Sequence, residues 1–418
     1  MPIKRTSIAF TLILGALSAL PPLGIDMSLP GLPAIAHSLH TSAAAAGTTL
    51  SIFLLGYAAG PLVFGPLSDR LGRRPVLLGG IALFAGAGFI CCPAPSIGWV
   101  LLARFAQGIG AGIGAALPLA IVRDLFEGAA ARTRLSQVTL VFSLGPLLAP
   151  TLGGAVMLLD GWRAIFFVIG AVGALLLLVS ALGVAESLPH ERRRSLDPRQ
   201  LLMTYRHVFG HGTTVGFSLV NALSYACMFA FISGSPLVLI QGHGLSVTAF
   251  SAVFACAVCG LICAALIGGR LARHGVPSSR VLLFGLLLGA GATAALLILS
   301  LTGRDSVLAM MPLFLLSDAA YGLVGPNAVH EALVPMQPIA GLASAALRGL
   351  QIATGAAVSA LVPFFYDPRS SLAMTGVMAA CALGALLIYV LGLRRAAVAA
   401  GTVVATAYPP PRPSAAQS

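Results

Sequence analysis

The sequence predicts an all-α polytopic membrane protein with twelve transmembrane helices in two six-helix halves. Three observations carry that prediction. Only 9% of the 418 residues are charged while 58% are hydrophobic, and mean hydropathy is +0.97. Apolar runs of spanning length recur along the whole chain. The basic residues gather on alternate loops between them. A soluble domain carries about 25% charged residues, and a chain this apolar has too little polar surface to cover itself. Disorder is excluded too, because disordered chains lack the residues abundant here. None of the runs alternates apolar with polar, so helices and not a barrel must satisfy the backbone in lipid.

In order, the runs lie at 8–32, 45–66, 76–93, 97–122, 135–158, 164–185, 213–236, 247–269, 281–301, 306–329, 341–365 and 371–393. Lys4 and Arg5 precede the first. That run outlasts a signal-peptide core and reaches Pro30 without a small-x-small cleavage site, so it reads as a retained span. Twelve spans put both termini on one side. Of the 24 basic residues, nineteen fall on the Lys4 side and three (Arg163, Arg304, Arg369) on the other; Arg104 and Arg348 fall inside spans. Positive loops face the cytoplasm, which assigns both termini there. The net charge of +12 therefore reports orientation in a bilayer, and no nucleic-acid partner is expected.

The division into halves follows from the longest loop. Residues 1–185 form an N-terminal half and 213–393 a C-terminal half. Residues 186–212, with Glu191-Arg192-Arg193-Arg194, form a cytoplasmic linker, either a solvated tether or a contact for anionic lipid heads. The tail 394–418, with Pro409-Pro410-Pro411, is expected to be disordered. An internal echo supports the halves. Gly65-Pro66-Leu67-Ser68-Asp69-Arg70-Leu71-Gly72-Arg73-Arg74 follows the second run, and Gly269-Arg270-Leu271-Ala272-Arg273-His274-Gly275 follows the eighth. Both then enter a Val-Leu-Leu run, as expected of a transporter built from repeats.

The Gly65–Arg74 segment resembles the signature loop of the major facilitator superfamily. Arg104-Phe105-Ala106-Gln107-Gly108 resembles the fourth-span motif of its drug:proton antiporters. Gly145-Pro146-Leu147-Leu148-Ala149-Pro150, with Gly153-Gly154, resembles their fifth-span motif. Ile25-Asp26-Met27-Ser28-Leu29-Pro30, Ala120-Ile121-Val122-Arg123-Asp124-Leu125, Phe231-Ile232-Ser233-Gly234-Ser235-Pro236 and Gly325-Pro326-Asn327 are similar to the bicyclomycin-resistance (Bcr/CflA) branch. The chain departs from that branch at Ser28, where an aromatic is usual, near Pro61, where a polar residue is usual, and at His330-Glu331. The resemblance implies the major facilitator fold and proton-driven export of drug-like amphipathic compounds from a bacterial inner membrane. A second substrate class, an endogenous metabolite such as an amino acid or sugar, fits the same cycle. The implied partners are substrate, protons and the bilayer, in a monomer. No cofactor is expected beyond the proton motive force.

Ionisable groups inside spans are the candidates for chemistry. Asp26 lies about 27 Å along the first span and Arg104 about 12 Å along the fourth, counted from the other side. Both fall in the outer half of the membrane and are expected to meet, as a proton-coupling pair or as a permanent ion pair. Asp318 lies about 18 Å into the tenth span, as a second proton or cation site or as a neutralised carboxyl. Arg348 pairs with Asp318, faces substrate, or snorkels to the cytoplasm. Gln107, Asn221, Tyr225, Asp318, Asn327 and Gln351 are candidate cavity residues. Tyr57, Tyr225, Phe229 and Phe231 wall an apolar pocket or pack in the core. Gly65, Asp69, Arg70, Gly72, Arg73, Arg74, Arg123 and Asp124 are expected to latch the halves while the cavity faces outward, with Asp69 facing a helix N-terminus or Arg123. Gly145, Pro146, Pro150, Gly153 and Gly154 are expected to shape the fifth helix and not to touch ligand.

Enzyme chemistry finds no support in the sequence. His37, His40, His190, His207, His211, His243 and His274 sit in loops and His330 at a helix end, so no nucleophile–base cluster or metal set forms inside spans. Cys256, Cys259 and Cys263 share a helical face but read as small buried hydrophobes and not as a metal site. No metal is expected.

Overall fold

The computed structural model describes residues 3–189, 191, 193 and 198–393. The tail 394–418 and most of the Arg192–Arg194 run lie outside the described residues. Every element among the described residues is helical apart from one isolated bridge, Asp367 to Ser370.

Ten helices are long and apolar enough to cross a membrane, and a bent pair, Ile8–Ser18 with Leu20–Ser38, makes an eleventh. One of the ten, Gly128–Gly183, has 56 residues. At 1.5 Å per residue it would be roughly 84 Å long, against a hydrocarbon core about 30 Å thick. Its continuity is only apparent. Asp160 (φ −151°, ψ 26°) and Gly161 (φ 72°, ψ −169°) are not helical, and they divide it into spans at 128–159 and 162–183. Eleven plus one gives twelve. The second to fourth spans are Ala43–Leu71, Arg73–Cys91 and Ile97–Leu125; the seventh to twelfth are Gly212–Gly242, Val247–Arg273, Ser278–Leu301, Val307–Leu333, Ala340–Phe364 and Leu372–Leu393.

Three sequence expectations are corrected. The first span is broken, not straight: it bends by 43° between Ser18 and Leu20 and continues to Ser38. Pro21 and Pro22 follow the break. Prolines have no N–H to give to the preceding turn. The stretch 65–71 is helix, not loop, and only Gly72 turns the chain. Its φ of 105° and ψ of 157° lie in a region open essentially to glycine. Gly275, in the echoing segment, also has a positive φ of 75°. The linker holds a helix, Pro198–Gly210, and Val208 on it is buried against a cluster that includes Phe217 and Tyr389.

Small residues let the spans pack closely. A Cβ on Gly108 of the fourth span would strike the Phe53 carbonyl of the second, so glycine there sets the helix separation. Contacts between the halves gather on the side opposite Gly72, hereafter the far side. Ser51 and Ser359 share a hydrogen bond of 2.9 Å between the second and eleventh spans. Ser251 of the eighth donates to the Pro150 carbonyl of the fifth at 3.1 Å. Toward the Gly72 side, Leu62 and Val63 of the second span and Leu140 and Leu144 of the fifth are exposed. The far side is closed in this conformation. Cys259 and Cys263 are exposed and Cys256 half-buried, so the cysteine face of the eighth span points outward and is not core.

Candidate functional site

A cavity of about 230 Å³ lies between the halves. The first half supplies Asp26, Tyr57 and Pro146; the second supplies Tyr225, Asp318 and Arg348, with Gln351 beside them. Apolar side chains such as Ile25, Phe142, Phe229 and Ile352 complete the wall. A mostly apolar concavity with few convergent polar groups is the usual form of a small-molecule site.

Asp26 reaches this cavity because the first span is broken. It ends the short helix Leu20–Asp26. The chain then continues through a single 3-10 turn, Leu29–Gly31. Ser28 closes that turn by donating to the Ile25 carbonyl at 2.8 Å. The hydroxyl thus serves the backbone of its own turn. Asp26 is 5% exposed.

Arg104 does not meet Asp26. The two ion pairs among the described residues both belong to Arg73. Arg104 is fully buried and donates from Nη1 to the Gly24 carbonyl at 2.8 Å and to Gln107 Oε1 at 2.7 Å. Its guanidinium lies 4.3 Å from the centre of the Phe53 ring. These partners hold the cation between the first, second and fourth spans, behind the cavity wall. The expected pairing has both groups at the right depth but they lie on different sides of the first helix. Gln107 is drawn with the arginine: it serves Arg104 and does not line the cavity.

Two further candidates also lie elsewhere. Asn221 is buried in the seventh span, its Oδ1 without a hydrogen-bond partner among the described residues. Asn327 donates from Nδ2 to the Leu323 carbonyl of its own helix at 2.7 Å. Tyr225, Asp318 and Gln351 do line the cavity. Gln351 donates to the Tyr321 hydroxyl at 2.8 Å, and the Tyr225 ring lies 4.6 Å from Phe229 and 5.7 Å from Tyr321. Arg348 neither snorkels nor pairs with Asp318. Its guanidinium donates to the Tyr57 hydroxyl across the halves at 3.1 Å. Phe231 is core, 4.7 Å from Phe314.

The turn at Gly72 is a network within the first half. Arg73 meets Asp69 at 2.5 Å and Asp124 at 3.0 Å. Asp69 therefore has Arg73 as its partner and not Arg123, which is exposed, as is Arg70. Asp124 also accepts from Ser187 at 3.0 Å. Glu186, which no sequence motif singles out, accepts from the backbone N–H groups of Arg73, Arg74, Ser187 and Leu188 at 2.9 to 3.1 Å. Burial alone would push the Glu186 carboxyl up, but these four donors outweigh it and hold it below the ordinary value. A Cβ on Gly72 would lie 2.5 Å from Glu186 Oε2. Arg74 donates to the Ala181 carbonyl at 2.7 Å. Among the described residues, the hydrogen bonds and ion pairs of this network stay within the first half and residues 186–188. Gly65, expected to be part of the latch, has open space around it.

The fifth-span motif packs on the broken first span. Cβ atoms on Gly145 and Gly153 would strike Pro22 and the Met27 carbonyl, and one on Gly154 would lie 2.9 Å from Ser251 of the other half. Pro146 lines the cavity, so this motif is not confined to shaping its helix. Two residues absent from the sequence expectations nevertheless carry a signal. Tyr321 stands three positions after Asp318, hence on the same helical face. Glu186 stands at the end of a span in a chain with only 12 acids.

Known proteins place this architecture. Residues 14–335 match the family profile described as Major Facilitator Superfamily. The chain is 34% identical over 369 residues to an uncharacterized MFS-type transporter, YdgK, of Bacillus subtilis, covering 86% of this chain and 90% of that one. It is 30% identical to a bicyclomycin resistance protein homolog of Haemophilus influenzae, covering 92% and 96%. It is 33% identical over 240 residues to the multidrug resistance protein MdtL of Escherichia coli, covering 57% and 60%. In three dimensions it is similar to a D-xylose-proton symporter (TM-score 0.72, 19% identity, 92% and 98% covered) and to a peptide transporter POT (TM-score 0.74, 15% identity, 96% and 97% covered). The chain belongs to the Major Facilitator Superfamily and, within it, to the bicyclomycin-resistance (Bcr/CflA) branch.

Proposed function

We propose that this protein exports drug-like amphipathic small molecules across the bacterial inner membrane in exchange for protons, by alternating access. Membership of the superfamily makes it a multi-pass membrane transporter; the exchange and its cargo are our reading. The observation that carries it is Asp26, a buried carboxyl at the end of a broken helix, facing an apolar cavity shared by the two halves. A carboxyl there exchanges a proton with whichever side the cavity faces. Gain or loss of that charge changes the relative stability of the two facing states, and a ligand shifts such an equilibrium only by its differential affinity for them. The names of the Haemophilus influenzae and Escherichia coli relatives support drugs as cargo.

On this reading the halves 1–185 and 213–393 rock about the cavity, with both termini cytoplasmic in a monomer. Proton motive force is the only energy source. The network of Gly72, Arg73 and Asp124 meets the second half when the cavity faces outward. Arg348 and Gln351, polar groups of the second half in the same cavity, favour one second reading, export of an endogenous metabolite such as an amino acid or sugar. A drug-susceptibility panel beside measured metabolite release separates the two.

Proton-coupled efflux in inverted vesicles tests the proposal, with Asp26→Asn beside the parent. The parent should move substrate against its gradient when ΔpH is imposed, and the variant should lose coupling at least tenfold. Undiminished coupling in the variant removes Asp26 from the mechanism.

A further inference from the structure

A second cavity, of about 140 Å³, lies on the far side, just beyond the ends of the ninth and eleventh spans. It shares no lining residue with the cavity between the halves. A single water needs roughly 10–15 Å³, so there is room for a small organic molecule. The lining is polar. His243 follows the seventh span, Asp305 follows the ninth, and Tyr366, Arg369, Ser370 and Ser371 follow the eleventh.

This lining carries two opposite charges that do not meet. Asp305 and Arg369 form no ion pair, since both ion pairs among the described residues belong to Arg73. Each is held by another group. Ser371, 2% exposed, donates to the Asp305 carboxylate and shares a hydrogen bond of 2.6 Å with Ser300. The backbone N–H of Arg369 donates to Asp367 Oδ1 at 3.0 Å, which fixes the chain there. The Arg369 guanidinium itself has no hydrogen-bond or ion-pair partner among the described residues. Ser370 Oγ accepts from the Leu372 N–H at 3.1 Å, and its own proton is left to donate. The His243 ring, able to donate or accept, also faces the cavity, and Tyr366 is pinned to the wall by donating to the Leu237 carbonyl at 2.7 Å. Arg304 and Asp367 neighbour these residues in sequence but do not line the cavity.

An acid and a guanidinium facing one small polar cavity, each without the other, are completed by a ligand that brings both counter-charges. An ammonium group meets the Asp305 carboxylate. An oxyanion meets the Arg369 guanidinium, whose fork suits carboxylate and phosphate, with the Ser370 hydroxyl beside it. A simple cation or a simple anion satisfies one pole and leaves the other bare. Metal ions are not favoured, because no group of three or more His, Cys, Asp or Glu side chains able to hold one occurs among the described residues.

We propose that this far-side cavity binds a compact zwitterion, a primary ammonium joined through a few atoms to a phosphate or carboxylate. That chemistry has two sources just beyond the span ends: the ethanolamine phosphate headgroup of a phospholipid, and a free amino acid in solution. The site is separate from the cavity between the halves and does not rest on the exporter reading.

The test is isothermal titration of the purified full chain in detergent. Phosphoethanolamine and glycine are the zwitterionic probes; ethanolamine, inorganic phosphate and acetate carry one pole each. At least one zwitterion should bind the parent about tenfold more tightly than any single-pole probe, the worth of one charge-assisted hydrogen bond. Asp305→Asn and Arg369→Gln should each remove that preference. A parent that binds zwitterions no better than their separate poles, or a preference that survives both substitutions, overturns the proposal. Should Asp305→Asn fail to fold, Arg369→Gln decides, since that side chain is exposed and its guanidinium holds nothing in place. Nanodiscs then identify the source. Soluble phosphoethanolamine that binds about tenfold more weakly in phosphatidylethanolamine discs than in phosphatidylglycerol discs is being displaced by the headgroup. Equal affinity in the two lipids supports the free zwitterion.

Discussion

Glu186 offers a perturbation whose size and sign follow from the structure. Replacing it with Gln keeps the shape and removes the charge. The carboxylate accepts four backbone N–H bonds, from Arg73 and Arg74 at the start of the third span and from Ser187 and Leu188 after the sixth. The first two are donors that a helix start leaves unpaired. Losing a side-chain cap costs about 1 kcal/mol, and losing a negative charge at a helix N-terminus costs about 0.3–1 kcal/mol. The amide nitrogen of Gln would also point at one or more N–H groups. Because Glu186 is only half-buried, solvent screens part of this, and a total of about 1–2 kcal/mol is expected. Its carboxyl is held below the ordinary value in the folded chain. The stabilisation is therefore fully present above the ordinary glutamate range and is lost as pH falls through the lowered folded value. Thermal unfolding in detergent, followed by circular dichroism, measures the difference between parent and Glu186→Gln. That difference should be full at pH 7 and shrink progressively below about pH 4.5. A difference that is absent at pH 7, or that grows on acidification, refutes the reasoning.

Three other outcomes are expected. Arg104→Leu leaves the Gly24 carbonyl and Gln107 Oε1 without their donor; at about 1–3 kcal/mol for each buried orphan, the variant should lose several degrees of thermal midpoint, whereas an unchanged melt would show that water replaces the guanidinium. Gly153→Val drives a side chain into the Met27 carbonyl and should cost about 1–3 kcal/mol by overpacking, read as reduced thermal stability in detergent; a variant as stable as the parent would mean that the first span shifts freely. Ser51→Cys with Ser359→Cys replaces two hydroxyls that lie 2.9 Å apart; oxidation should link the halves on the far side and abolish vesicle transport, and reductant should restore it. Full transport in the oxidised, cross-linked protein would show that the far side need not open.

Most of the architecture is legible in the sequence because composition and charge act on long stretches. The twelve runs locate the spans to within a few residues at most ends, since lipid demands about 20 apolar residues for each crossing. The exceptions are local. The first run reads as one helix although Pro21 and Pro22 stand inside it, and the chain bends just before them. The span before Gly72 runs on through Asp69 and Arg70, because only Gly65 and Pro66 in 65–71 strongly oppose a helix, and such residues are tolerated where neighbouring spans support the chain. The cavity is harder to read. Depth along a helix is countable from sequence, and it places Asp26 and Arg104 at matching heights. Direction around the bundle is not countable across a break. The 43° bend and the glycine-mediated approach of the fourth span to the second leave Arg104 facing the Gly24 carbonyl, while Asp26 turns to the cavity.

The same geometry gives the two halves unequal electrostatics. In the first half the intramembrane cation is absorbed by backbone and ring contacts, so its acid faces the cavity without it. In the second half both Asp318 and Arg348 reach the cavity, and Arg348 is held by the Tyr57 hydroxyl of the first half. Counting the charged residues on the wall, two acids and one arginine, the cavity carries +1 with both acids protonated, zero with one ionised and −1 with both ionised. Two protonation events therefore carry its charge from one sign to the other. A cationic cargo is repelled in the first state and attracted in the last, and a neutral cargo responds far less. If proton binding and cargo release are linked through this balance, removing Arg348 should shift the whole series one unit negative. Arg348→Gln should then retain cations at proton concentrations that empty the parent, and should do so without slowing the entry of neutral substrates. Cation retention that tracks pH identically in Arg348→Gln and the parent would show that the charge of the wall does not govern release.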